Sequence, residues 1–172
     1  MFEKIESARN KYKPKKIKYL LVAEAPPKIE SNRFFYFENI RRGDSLFLET
    51  MKVVYPKQFI DVKYVRDKKT TFLEQFKRDG FYLIDSVDHP INGTSSQKKK
   101  EIQKNLPQLS EKIVKLANEE TKVILISATV YEVCYDYLKK KGINVSNIEM
   151  IDFPGSGGQK KYREKIEKIL AQ

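Results

Sequence analysis

Four short apolar runs constrain this chain more than any other feature. Ile17-Lys-Tyr-Leu-Leu-Val-Ala23 is mostly apolar and runs into Pro26-Pro27. Phe81-Tyr-Leu-Ile84 is entered through Gly80, and Val123-Ile-Leu-Ile126 is a third run. Ile148 to Ile151 is a shorter fourth, stopped by Pro154. Continuous rather than alternating hydrophobicity marks strands covered on both faces. Parallel strands are therefore expected near residues 17–23, 81–86, 122–127 and 148–152.

Helical patterns separate these runs. Met1 to Lys18 is charged and helix-like. Leu46, Met51 and Val54 give Ser45–Tyr55 an apolar side before Pro56, and Phe72, Leu73 and Phe76 form one face of a helix stopped by Gly80. Ile102, Leu106, Leu109, Ile113 and Leu116 follow +4, +3, +4, +3 spacing, with Pro107 predicting a kink or two helices. Val130, Val133, Cys134, Tyr137 and Leu138 make another stripe, closed by Lys139-Lys140-Lys141 and Gly142. Tyr162, Ile166, Ile169 and Leu170 mark a last helix. Strands alternating with helices predict one three-layer α/β/α domain over residues 1–172, with a four-stranded, mainly parallel sheet. Ligands in such folds bind at the carboxyl ends of the strands. The loops after Ala23, Ile84, Ile126 and Ile151 are the ones to examine.

Charge bears on the partner. Thirty-four Lys and Arg stand against 23 Asp and Glu, a net charge of +11. Such an excess points to a polyanion, most often nucleic acid; a Lys-rich proteome is the other source. The single cysteine, Cys134, excludes a disulfide framework, a Cys-based zinc site and a four-thiolate cluster, and the single histidine, His89, argues against a His-rich metal site. No run approaches the ~20 apolar residues of a membrane span, and the start has no signal-peptide pattern. The expectation is a cytoplasmic monomer without a cofactor or membrane, binding DNA rather than RNA.

Each loop offers candidates. Glu24, in Ala23-Glu-Ala-Pro-Pro27, is a carboxylate at a strand end that could hold a water, or simply a solvated turn residue. Phe34-Phe-Tyr-Phe37 follows Arg33, and some of its rings can line a cleft and stack on a base, while others fill the core. Asp85 directly follows an apolar strand, as a ligand-reading residue or a turn carboxylate would, and His89 before Pro90 reads as a loop residue. Phe153-Pro-Gly-Ser-Gly-Gly158 opens a helix carrying Lys160, Lys161 and Arg163. Gly155, Ser156, Gly157, Gly158, Lys160 and Lys161 are thus candidates for holding phosphate. The spacing matches neither a Walker loop nor Gly-x-Gly-x-x-Gly.

Taken in order, these pieces resemble the uracil-DNA glycosylase superfamily from about Lys18 to Leu170. Leu20-Leu-Val-Ala-Glu-Ala-Pro-Pro27 is similar to the Gly-Glu-Ala-Pro-Gly motif of its iron–sulfur branch, and Tyr82-Leu-Ile-Asp85 to the strand that ends in a base-reading Asn. Asn105-Leu-Pro-Gln-Leu109 stands where that branch has Cys-x-Pro-x-Leu, and Phe153-Pro-Gly-Ser156 where it has His-Pro-Ser-Pro. The resemblance implies a four-stranded parallel sheet, Glu24 and Asp85 as catalytic candidates, and a base held by Ala25, Pro26, Phe34, Phe35 and Phe153. Three departures fall on the chemistry. Asn105 replaces a cluster cysteine, so no iron–sulfur cluster is expected. Phe153 replaces a histidine that supports the departing base. Asp85 replaces an amide matched to uracil, and an ionised carboxylate only accepts hydrogen bonds. A glycosylase with a shifted substrate and an inactive binder of nucleic acid or nucleotide both remain open. So do a phosphometabolite-binding protein and an assembly module.

Overall fold

A computed structural model describes residues 2–155 and 157–172. In chain order the elements are α1 (Phe2–Lys11), β1 (Tyr19–Ala23), a 3-10 turn (Ile29–Ser31), α2 (Ser45–Val54), α3 (Val62–Asp67) and α4 (Lys69–Arg78). There follow β2 (Phe81–Asp85), α5 (Ser95–Lys104), α6 (Leu106–Leu116), β3 (Lys122–Leu125), α7 (Ala128–Lys140) and α8 (Gln159–Leu170). The chain is an α/β protein built on an open parallel sheet of three strands in the order β2-β1-β3. Tyr19 pairs with Phe81 and Lys122, and Ala23 with Asp85, so β1 and β2 end level with each other. Nearly every strand residue is buried, as continuous apolar runs require.

The helices pack in several sets, two of which reach the sheet. α2 packs on α8; α3 packs on α4, and α4 on β2; α5, α6 and α7 pack together, and α7 lies on β3. Parallel crossovers are right-handed almost without exception. The path from β1 out to β2, then back past β1 to β3, carries the two crossovers to opposite faces.

The expected fourth strand near 148–152 is not among the strands, so the four-stranded sheet is corrected to three. Ile148 is two-thirds exposed whereas Ile151 is buried. The outer edge of β3 is instead met by an irregular segment. Val145 makes a single parallel bridge to Val123, and Ser146 N donates to Val123 O at 2.8 Å. The Asn147 amide then takes the place of a strand peptide. Its Oδ1 accepts from Leu125 N at 2.7 Å and its Nδ2 donates to Leu125 O at 2.9 Å. Ser127 N closes the edge on Ile151 O at 3.1 Å. On the other side of the sheet, the Tyr36 hydroxyl accepts from Leu83 N of β2 at 2.7 Å.

Smaller differences have local causes. α1 stops at Lys11 rather than running to Lys18, because Pro14 cannot continue it. α3 has no counterpart in the apolar pattern; Asp61 starts it by accepting from Tyr64 N at 2.7 Å. Pro107 does divide the 102–116 stripe, with α5 ending at Lys104 and α6 carrying the proline in its first turn. Among the described residues no helix is long and apolar enough to cross a membrane.

Both hydrogen bonds to Leu125 are buried, and an unsatisfied buried peptide group costs about 1–3 kcal/mol. Asn147→Ala is therefore expected to lower the unfolding free energy in urea by roughly 2–4 kcal/mol. A loss below about 0.5 kcal/mol would show that water or chain movement replaces the amide.

Candidate functional site

A cleft of about 580 Å³ opens at the carboxyl ends of β1 and β2, within the range of small-molecule sites. The loop after β1, Phe34 and Phe35, the start of α2, Asp85, residues 90–92 and the Phe153–Gly155 turn all line it. Backbone ties set the loop heights. Ser86 N donates to Ala23 O at 2.7 Å, and the Ser86 hydroxyl donates to Glu24 O. Asn105 Nδ2 in turn donates to Ser86 O at 2.7 Å.

Asp85 forms the floor. It is 4% exposed, and Arg9 Nη2 of α1 donates to its Oδ2 at 2.7 Å. Arg9 is itself buried, also pairs with Glu6, and stacks 5.3 Å from the Phe34 ring centroid. Burial outweighs these attractions and raises the Asp85 pKa to about 6, with Arg9 and then Lys112 pulling the other way. Sequence alone did not show the partner of Asp85: one carboxylate oxygen is engaged by Arg9.

Glu24 stands on the wall with its side chain about one-quarter exposed, and Lys98 Nζ of α5 lies 3.6 Å from its Oε1. Lys28 and Arg33 are exposed on the same cleft. Arg33 lies across Gly43, whose φ is +65°, and its Cδ comes within 2.6 Å of where a Cβ would sit. Any side chain at 43 would push the guanidinium away. Asp44 is buried but spent, because Arg66 forks onto it with bonds of 3.0 and 2.7 Å. Behind this wall Lys69 is buried with Nζ 4.3 Å above the Phe47 ring centroid and no hydrogen-bond partner among the described residues. Its desolvation lowers the pKa to about 8.

Glu24, Ala25, Pro26, Phe34, Phe35, Asp85, Phe153 and Gly155 therefore meet in one cleft. Phe34 and Phe35 are at most 6% exposed and offer the cleft little of their rings, whereas Phe153 is 46% exposed. Gly157, Gly158, Lys160 and Lys161 do not line the cleft, and Ser156 lies outside the described residues. Arg163 turns to the buried Glu49 of α2, and Lys160 lies 3.8 Å from Glu164. Lys165 holds the turn before Phe153 through Met150 O at 2.7 Å and Asp152 at 2.8 Å.

Arg9 and Lys98 went unread in the sequence, and Arg33 was read only as the neighbour of the aromatic run. Arg9 alone left a trace, since it occupies the Ile5–Tyr12 side of α1 where an apolar residue belongs. An iron–sulfur cluster does not fit these residues. Asn105 is engaged by Ser86, and burial pushes the Cys134 thiol up to about 12. Among the described residues no three His, Cys, Asp or Glu side chains gather as metal ligands. No family model matches the sequence, and no curated protein matches it.

Because the folded Asp85 pKa of about 6 lies above the unfolded reference of 3.8, its contribution to stability is fully present below about pH 4. That contribution is lost as pH rises through about 6. The Asp85 carboxyl carbon is expected to titrate near 6 by NMR, and Arg9→Met should move its midpoint higher still. A midpoint below 4 would mean that the ion pair, not burial, governs this group.

Proposed function

We propose that the protein binds nucleic acid, DNA rather than RNA, and takes a single flipped base into this cleft. It does so as a divergent protein of the uracil-DNA glycosylase type that hydrolyses the N-glycosidic bond of a damaged or deaminated base. One observation carries the reading. A carboxylate at a strand end, a second carboxyl on the floor and an exposed aromatic ring share a cleft of about 580 Å³. That is the set needed to hold water, read a base edge and stack on its face.

In this reading Glu24 holds a water against the sugar C1′ and takes its proton as the oxygen attacks. The C1′–N bond breaks, its electron pair leaves with the base, and the base is protonated from solvent. Phe153 stacks on the base, and Asp85 reads its edge. Above pH 6 Asp85 is ionised and accepts hydrogen bonds, which suits an exocyclic amine. Below pH 6 it is an acid with one donor, which suits a carbonyl edge such as that of uracil. The second reading, binding without excision, is favoured by the two cations already on these carboxylates. Arg9 holds Asp85 at 2.7 Å and Lys98 lies 3.6 Å from Glu24.

The deciding experiment incubates the protein with single-stranded and duplex oligonucleotides carrying deaminated or damaged bases, scored for abasic sites at pH 5 and 7.5. Excision of carbonyl-edged bases is expected to be faster at pH 5. Asp85→Asn should raise uracil excision at pH 7.5 by roughly 10-fold, the worth of one matched hydrogen bond of about 1.4 kcal/mol. Glu24→Gln should lower every excision rate by roughly 10²-fold or more. Binding that persists with no abasic site in any arm establishes the binding-only reading. No binding at all overturns both.

A further inference from the structure

A second hollow of about 340 Å³ adjoins the cleft, and Pro90, Ile91 and Asn92 line both. Its far side is formed by α5 and His89. The lysines of α5 are sorted by direction. Lys98 turns into the cleft toward Glu24, and Lys99 turns away to Glu132 of α7 at 2.7 Å. Lys100 and Lys104 both line the hollow. Like charges at i and i+4 repel on a helix, and among the described residues Glu101 is the single carboxylate lining this hollow. It is shared between Lys104 at 3.4 Å and His89 at 4.0 Å, and among the described residues Lys100 has no acidic partner. The helix N-terminus is not the attraction, because it is closed by Thr94 and Gln97 in a capping box.

We propose that this hollow is the flanking-phosphate subsite of a polynucleotide. A strand whose base enters the cleft crosses residues 90–92 and lays its next phosphodiesters on Lys100 and Lys104. This rests on the reading of the cleft as a base site and adds the path of the strand. It also moves the phosphate contacts from the start of α8 to α5. Two observations select the partner. The hollow is continuous with the cleft across a three-residue rim, which an extended backbone can span. Its two lysines outnumber its one carboxylate among the described residues and are exposed, Lys104 at 76%. Strand phosphates meet such groups by releasing counterions, which makes binding steeply salt-dependent.

His89 is the only histidine in the chain, so its ring resonances report the hollow without ambiguity. A single-stranded thymidine decamer is expected to shift them, and thymidine monophosphate is not. Lys100→Ala with Lys104→Ala should reduce the log–log salt slope for the decamer by about 1.4, at ~0.7 per single-strand phosphate neutralised. Alanine is the best helix former, so α5 survives both changes. Lys160→Ala with Lys161→Ala should leave the slope unchanged.

The subsite is overturned if the decamer binds with its full slope to the Lys100/Lys104 variant. It is overturned equally if the Lys160/Lys161 variant loses the slope instead. Thymidine monophosphate that shifts His89 as strongly would make the hollow a site for free phosphate. Polyglutamate that shifts it as strongly would make it a site for an acidic peptide; either overturns the strand path. The two readings fail separately. A slope lost with Lys100 and Lys104, alongside binding indifferent to the base and to Asp85→Asn, keeps the subsite and removes the base site.

Discussion

A parallel sheet of three strands has one inner strand and two edges, and here both faces are covered. The backbone groups on those edges are buried and must be paired, at about 1–3 kcal/mol for each that is not. Among the described residues no further strand supplies the partners. The Tyr36 hydroxyl accepts from Leu83 on one edge, and the Asn147 amide pairs with both backbone groups of Leu125 on the other. These contacts also build the site. Tyr36 packs against Phe34 and Phe35, which line the cleft. Asn147 pins the segment that continues, through Ile151 and Lys165, to Phe153. Pairing of the sheet edges and placement of two cleft walls are thus one constraint.

The second cost in the fold is charge taken out of water. Breaking a buried ion pair by removing one member costs roughly 3–5 kcal/mol, although the intact pair adds little against an apolar substitute. Arg9 and Asp85 therefore fasten α1 to the end of β2 more firmly than they stabilise the fold. Among the described residues Lys69 Nζ has no hydrogen-bond partner, and it rests on the face of Phe47. Burial drives its pKa down to about 8 and that of Asp85 up to about 6. Between those values both groups are charged, and both desolvation penalties are carried in full. The two strained ionisations lie on the floor and behind the wall of one cleft, where such costs are characteristic of functional sites.

Three strands were legible because each is a run of apolar residues covered on two faces. Ile148 to Ile151 looked the same but is not a strand. The edge it approaches is already met at Val145 and by a side-chain amide, leaving Ile148 in solvent. Glu24 and Asp85 were legible as neighbours because residues that follow parallel strands share one end of the sheet; Phe153 reaches the same cleft from an irregular segment. The charge partners of the two carboxylates were not legible. Arg9 reaches Asp85 across 76 positions, and nothing local distinguishes Lys98 from Lys99. The charge pairing at the start of α8 was hidden for a related reason. A glycine-rich turn before basic residues has the composition of a phosphate site, and the sequence does not show that packing of α8 on α2 brings Arg163 to Glu49.

Net charge alone therefore says little about where a polyanion would lie. What matters is which cations lack a carboxylate and whether they border the same opening. Arg66, Arg163, Lys99 and Lys165 are neutralised by acids that fix helices and loops in place. Lys28, Arg33 and Lys100 are exposed, and no salt bridge engages them among the described residues. All three border the cleft or the hollow beside it. A ligand that brought one negative charge would need only the cleft rim. On the proposed strand path, the second hollow, separated by three residues, would suit a chain of regularly spaced negative charges. In such a complex the phosphates would fix the register of the strand and leave discrimination to the cleft. The contribution of Arg33 would depend on Gly43, because only a residue without a side chain leaves the guanidinium its present seat.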